Sequence, residues 1–173
     1  MPKIIIITGP PASGKSTITK RLAELADKGA VINVDDLRDM IKAGQVKPWE
    51  QKNEAKEQIL LGTKNACTLA KNLLEAGFDV FIDDVIISGE LINEYKKHLG
   101  KELKIIVLLP TETTITKRDG VRGPDDKMGK RATELHKKFF EAKDKINWQV
   151  IDNSKITIDE TVQKIKVLTN ETR

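Results

Sequence analysis

The sequence predicts an α/β fold in which a five-stranded parallel sheet lies between helices, and three observations lead there. Short apolar runs alternate with amphipathic, helix-period segments along nearly the whole chain. The first run, Lys3–Thr8, reads KIIIIT and is continuously β-branched, as a strand buried on both faces of a parallel sheet must be. The segments joining successive strands are long enough to hold a crossover helix, which parallel pairing requires.

Taken in order, the Lys3–Thr8 strand stops at Gly9-Pro10-Pro11 and a glycine-bearing loop leads into a helix over about Lys15–Lys28, with Ile18, Leu22 and Leu25 at helical spacing and Gly29 as its stop. Ala30–Val34 reads as the second strand, with Asp35-Asp36 placed to cap the next helix. Gly44–Pro48 breaks the pattern. A long helix is expected from about Trp49 to Glu75, because Ile59, Leu60, Thr63, Cys67, Ala70, Leu73 and Leu74 recur every three or four residues, and Gly77 ends it. Asp79–Ile82 is the third strand, and a helix follows from Ser88 to about Leu99. Leu103–Leu109 is the fourth strand, closed by Pro110. A helix from about Thr111 then leads to a charged loop, Asp119–Lys127, and another helix from about Met128 to Ala142. Trp148–Ile151 and Ile158–Leu168 supply the fifth strand and the last helix. No internal repeat, low-complexity tract or linker divides the 173 residues, so they are expected to form one domain.

Composition narrows the setting. The balance of 30 basic and 26 acidic residues, net +4, is too small to mark a nucleic-acid binder but favours an anionic substrate. Cys67 is the only cysteine, which excludes an intramolecular disulfide, and its place in an apolar helical stripe reads as a buried structural thiol. The Ile4–Ile7 run is too short for a membrane span or a signal segment, so a cytoplasmic protein with no membrane association is expected. His98 and His136 stand singly on helices without ligand partners at metal spacing and read as surface histidines, so no zinc site is expected.

The segment Gly9, Pro10, Pro11, Ala12, Ser13, Gly14, Lys15, Ser16 is a complete G-x-x-x-x-G-K-[ST] phosphate-binding motif, set between a buried strand and an amphipathic helix as its function requires. In such a loop the backbone N–H groups turn inward around a phosphate, and glycines permit both the path and the close approach. The helix N-terminus through Thr17 adds its positive end. Lys15 is expected to reach the β- and γ-phosphates of a nucleotide and the Ser16 hydroxyl to ligate Mg²⁺. ATP and Mg²⁺ are the expected cofactors.

Strand C-termini in a parallel sheet open on one crevice, so Asp35 at the end of strand two is expected to face the phosphates, where it would orient an acceptor hydroxyl and accept its proton. Arg38, one turn on, would clamp an anionic group of the acceptor. The competing reading is that Asp35 and Asp36 only cap a helix. Asp83 and Asp84 end strand three, where an acid holding Mg²⁺ or its waters belongs; Asp83 is the metal candidate and Asp84 an acceptor-side one. The segment Lys117–Arg131 concentrates Arg118, Arg122, Lys127, Lys130 and Arg131. It reads as a basic lid over about residues 119–130 that excludes water and steadies charge on the transferring phosphoryl, or else as a solvated basic surface. Trp49, in an acceptor-side insert over about residues 40–60, either lines the acceptor pocket or packs.

Together these residues resemble a group of small P-loop kinases among the AAA-type ATP-binding proteins, which includes the kinase domain of phage polynucleotide kinase, chloramphenicol phosphotransferase, and zeta-toxin-like and gluconate-kinase-like proteins. The resemblance runs from KIIIITGPPASGKST to VIDNSKITIDETV. Asp35-Asp36-Leu37-Arg38 is similar to the Asp-Asp-aromatic-Arg segment of polynucleotide kinases, which implies Asp35 as general base and Arg38 as acceptor clamp. Lys117-Arg118 followed by Arg122 is similar to the lid of the same enzymes. Val34–Leu37 and Ile82–Val85 resemble segments of the chloramphenicol enzyme. The resemblance implies an adenylate-kinase-like core with strand order 2-3-1-4-5, and it places Asn153 and Ser154 against adenine. Two departures point away from a polynucleotide acceptor: Leu37 replaces the aromatic, and only 4% of residues are aromatic, leaving few platforms for stacking bases. The function expected is transfer of the γ-phosphoryl of Mg·ATP to a hydroxyl of a small molecule. A polynucleotide 5′-hydroxyl kinase and a nucleotide-dependent switch are the rivals.

Overall fold

Four isoleucines in succession leave β1 (Ile4–Thr8) no polar face, and the chain answers by covering the sheet on both sides. The computed structural model describes residues 3–100, 103–143 and 149–170. Five parallel strands, β1, β2 (Gly29–Asn33), β3 (Asp79–Asp83), β4 (Lys104–Leu108) and β5 (Gln149–Ile151), stand in the order β2-β3-β1-β4-β5. That is the order the sequence resemblance implies.

Alternate residues of β1 feed different layers. Ile6 joins Ile32, Val80 and Ile82 beneath α3 (Asn53–Glu75), through Ala66, Cys67 and Ala70, and beneath α4 (Gly89–Leu99), through Leu91, Ile92 and Tyr95. Ile5 and Ile7 point the other way. With Phe81, Ile106, Leu108 and Ile151 they pack under Ile18 and Leu22 of α1 (Lys15–Glu24) and Val162 and Ile165 of α7 (Ile158–Asn170). Each fully buried Ile contributes about 1.5–3 kcal/mol. A smaller cluster of Val107, Leu109 and Phe139 seats α6 (Lys130–Ala142). Among the described residues no helix is long and apolar enough to cross a membrane.

Several boundaries differ from the sequence expectation, each for a local reason. Helix α1 ends at Glu24, not near Lys28, and Leu25 is 43% exposed. Gly29 opens β2 instead of stopping the helix. A Cβ there would lie 2.1 Å from the Ala23 carbonyl oxygen, so its role is to let the strand pass the end of α1. Strand β2 stops at Asn33, whose side chain accepts from the Asp35 N–H at 3.1 Å and caps the short α2 (Val34–Arg38). Capping is thus done by Asn33 and not by Asp35 or Asp36, which stand in the first turn. Helix α3 starts at Asn53, because Pro48 and Trp49 form a turn in which the Glu50 N–H reaches the Lys47 carbonyl at 3.0 Å. Helix α5 (Glu112–Gly120) continues past Asp119 before the connection to α6. Trp148, expected in the fifth strand, lies outside the described residues. His136 is buried, contrary to the surface reading, with Nε2 2.9 Å from the Pro110 carbonyl.

Candidate active site

The loop from β1 to α1 is held in shape by backbone conformations that few residues accept. Gly9, Ala12 and Gly14 all have positive φ, at 148°, 62° and 96°. A Cβ on Gly9 would meet the Leu108 carbonyl oxygen at 2.2 Å, so β4 passes where any side chain would stand. Gly14 is the N-cap of α1 without a capping side chain, which leaves the first-turn N–H groups of that helix, including those of Ser16 and Thr17, available to an anion. Lys15 is buried and folds back to donate to the Pro10 carbonyl at 3.2 Å. Burial lowers the pKa of its ammonium, while the charges of Asp83, Asp35 and Asp84 act against that shift. Three of the four acids singled out in the sequence therefore converge electrostatically on the P-loop lysine.

Parallel register sets Asp83 beside Ile7 of β1 on one side and Asn33 of β2 on the other, at the C-terminal edge of the sheet. There its Oδ2 accepts from the Ser16 hydroxyl at 2.5 Å. Burial raises the pKa of Asp83, and the Lys15 charge and the Ser16 hydrogen bond oppose the rise. A hydroxyl and a carboxylate oxygen side by side next to a phosphate loop are hard donors that fit Mg²⁺, which takes few protein ligands and fills its shell with phosphate and water. Among the described residues no group of three or more His, Cys, Asp and Glu could hold a metal, so an all-protein cage is not built here. Asp84 turns elsewhere. Its Oδ1 accepts from the Val85 N–H at 2.8 Å and its Oδ2 from the Tyr95 hydroxyl at 2.8 Å.

On the acceptor side, Asp35 is 63% exposed and bonds Arg38 at 2.9 Å. The Arg38 stem lies across α3 at Gly62, where a Cβ would come within 2.8 Å of its Cγ. Both Asp35 and Arg38 act on the charge of Asp84, so the three share one stretch of the crevice. The insert before α3 is laced down by Gln58, whose Oε1 accepts from Val46 N–H at 2.9 Å and whose Nε2 donates to the Gly44 carbonyl at 2.8 Å. Trp49 leaves that insert to meet the Arg131 guanidinium, 4.6 Å from its ring centroid.

The basic residues after β4 divide into separate tasks. Arg118 donates to the Ser13 carbonyl at 3.3 Å and the Asn153 carbonyl at 2.9 Å, and Asn153 Nδ2 donates to the same Ser13 carbonyl at 2.9 Å. Arg118 and Asn153 thus brace the P-loop from behind. The Ser154 hydroxyl accepts from Thr111 N–H at 2.7 Å, tying the loop after β5 to the start of α5. Arg122 lies 3.7 Å from Asp119 and is the guanidinium whose charge reaches Lys15. Asp119 itself is buried and accepts from the N–H groups of Met128 and Gly129 at 2.8–3.2 Å, so it ties the end of α5 to the start of α6 across the 121–129 connection.

Sequence reasoning missed Asn33, Gly62, Tyr95 and Asp119 at this site. An asparagine just before a helix is a capping signal and was readable. Gly62 and Tyr95 sit inside helices, where periodicity reports burial but not what the buried atom touches.

A family model described as an AAA domain matches residues 4–143. The chain belongs to this AAA domain family. No curated protein matches the sequence of this AAA domain. Solved structures do share its fold: a gluconokinase from Sinorhizobium meliloti 1021, 14% identical over 98% of this chain and 93% of that one with a TM-score of 0.73; the Deinococcus radiodurans tunicamycin resistance protein, 15% identical over 98% and 96% with a TM-score of 0.74; and a chain of the Pnkp1/Rnl/Hen1 RNA repair complex, 24% identical over 86% of this AAA domain but 47% of that chain, TM-score 0.66. What these likenesses show is the shared fold.

Proposed function

We propose that this AAA domain is a phosphotransferase that moves the γ-phosphoryl of Mg·ATP to a hydroxyl of a small-molecule acceptor in the cytoplasm. The observation that carries the reading is the contact of Ser16 with Asp83 beside a P-loop lysine that also feels Asp35 and Asp84. In this reading the loop amides and Lys15 hold the phosphates, while Ser16 and Asp83 would hold Mg²⁺, which when bound would supply charge neutralisation at the transferring group. Asp35 takes the proton of the acceptor hydroxyl as its oxygen bonds the γ-phosphorus and the bond to the β–γ bridging oxygen breaks, releasing ADP. Arg38, Asp84 and Trp49 line the acceptor side. Arg122 closes over the phosphoryl from the 119–130 lid of the single domain. Arg118 also serves catalysis, and with Asn153 and Ser154 it supports the nucleotide from behind the loop. The gluconokinase is a precedent on this fold for a small acceptor, and the 4% aromatic content leaves few platforms for stacking a polymer's bases.

Asp35→Asn tests the assignment. It keeps the α2 turn and the polar contact to Arg38 but removes the base, so turnover is expected to fall by ~100-fold or more with ATP affinity retained. Near-normal turnover in that variant removes Asp35 as the base.

A further inference from the structure

Tyr95 is the chain's only tyrosine, and its residue is fully buried on α4 in the layer that packs on Ile6 and Ile82. A phenol in such a place needs a partner for its hydroxyl, and an apolar phenylalanine of nearly the same volume would not. The hydroxyl donates to Asp84, 2.8 Å away at the crevice, and also meets the Thr63 side chain. Burial holds the tyrosine pKa well above its ordinary value, and the neighbouring charge of Asp84 adds to the effect, so the phenol remains a donor throughout the working pH range. The second oxygen of Asp84 is fixed by the Val85 N–H. Each carboxylate oxygen therefore has one bond to the protein and lone pairs left over. Asp84 is also only partly buried and lies within the electrostatic reach of Asp35 and Arg38.

Resting on the function proposed above, we infer that Tyr95 is a positioning residue of the acceptor site: its hydroxyl fixes the Asp84 carboxylate so that the free lone pairs receive a second hydroxyl of the acceptor beside Asp35. The acceptor class this favours is a polyhydroxylated molecule, whose additional O–H groups donate to Asp84 while one hydroxyl is phosphorylated. A lone alcohol would leave Asp84 without that partner.

The test uses the full chain and a panel of D-gluconate, D-glucose, uridine and chloramphenicol with γ-labelled ATP. For whichever compound the wild type phosphorylates, Tyr95→Phe is expected to raise the acceptor KM about 10-fold, the scale of a hydrogen bond to a charged group. The KM for ATP should stay within about twofold. Tyr95→Phe combined with Asp84→Asn should be no worse for acceptor KM than Asp84→Asn alone, since both act through one carboxylate. Hydrogen exchange at the Val85 amide should quicken in Tyr95→Phe as the carboxylate loosens. An acceptor KM unchanged in a folded Tyr95→Phe protein overturns the inference, as do additive losses in the double variant. Failure of the wild type to phosphorylate anything is a different result, and it strikes the phosphotransferase reading itself.

Discussion

A carboxylate moved from water to the end of a buried strand loses hydration, and Asp83 and Asp84 offset that loss differently. Asp83 leans on the Lys15 charge and the Ser16 hydroxyl. Asp84 has two neutral donors, and burial still pushes its pKa up to about 6. The sign of the stability effect follows from proton linkage. Below about pH 4 the carboxyl is protonated in both folded and unfolded chains. Between about pH 4 and 6 the unfolded chain loses the proton while the folded chain keeps it, so the folded state binds more protons and stability falls as pH rises. Denaturant unfolding at a series of pH values is expected to show Asp84→Asn gaining on the wild type across this window and running parallel to it above. A difference that is flat from pH 4 to 7 contradicts the assignment. The Asp83 contribution is common to both proteins and cancels.

At the scale of elements, two glycines mark where segments pass at backbone distance. Gly29→Ala forces a Cβ against the Ala23 carbonyl, which cannot yield without moving α1 or β2. A loss of about 1–3 kcal/mol is expected in unfolding, against little change for Gly89→Ala, which has no neighbour within 4 Å. Gly62→Ala separates function from stability. Alanine favours α3 by up to about 1 kcal/mol, yet its methyl meets the Arg38 stem. The expectation is near-native stability with a raised acceptor KM and an unchanged ATP KM, and an unchanged acceptor KM would remove Arg38 from the acceptor site. The KIIIIT run and the glycine–lysine–serine motif made β1, the loop and the parallel sheet legible because their physics is local. The end of α1, the separate α2 and the late start of α3 were not legible, because they depend on Ala23 meeting Gly29, on Asn33 competing with Asp35 for the cap, and on a turn at Pro48. At the site, the P-loop residues could be read directly. Pairing Ser16 with Asp83 and not Asp84 needed the register of β1, β2 and β3.

Across the whole molecule, the C-terminal edge of the sheet brings Lys15, Ser16 and Asp83 together, and the helical layers bury what lies behind it. Cys67 belongs to the buried part. Packed between α3 and the sheet, its thiol is pushed by burial up to about 11. At pH 8 it remains protonated and shielded, so modification by a thiol-specific disulfide reagent should run at least ~100-fold slower in the native protein than in denaturant. Rapid native labelling would mean that α3 opens far more readily than its packing allows.

Transfer of phosphoryl from the P-loop edge to a small hydroxyl acceptor is tested by following the label of γ-labelled ATP with Mg²⁺. The acceptors are sugars, nucleosides, hydroxylated antibiotics and 5′-hydroxyl oligonucleotides. Labelled product is expected from one small-molecule class and is lost in Asp35→Asn. Label appearing only on oligonucleotides, or only as inorganic phosphate whatever acceptor is present, would contradict the proposed function.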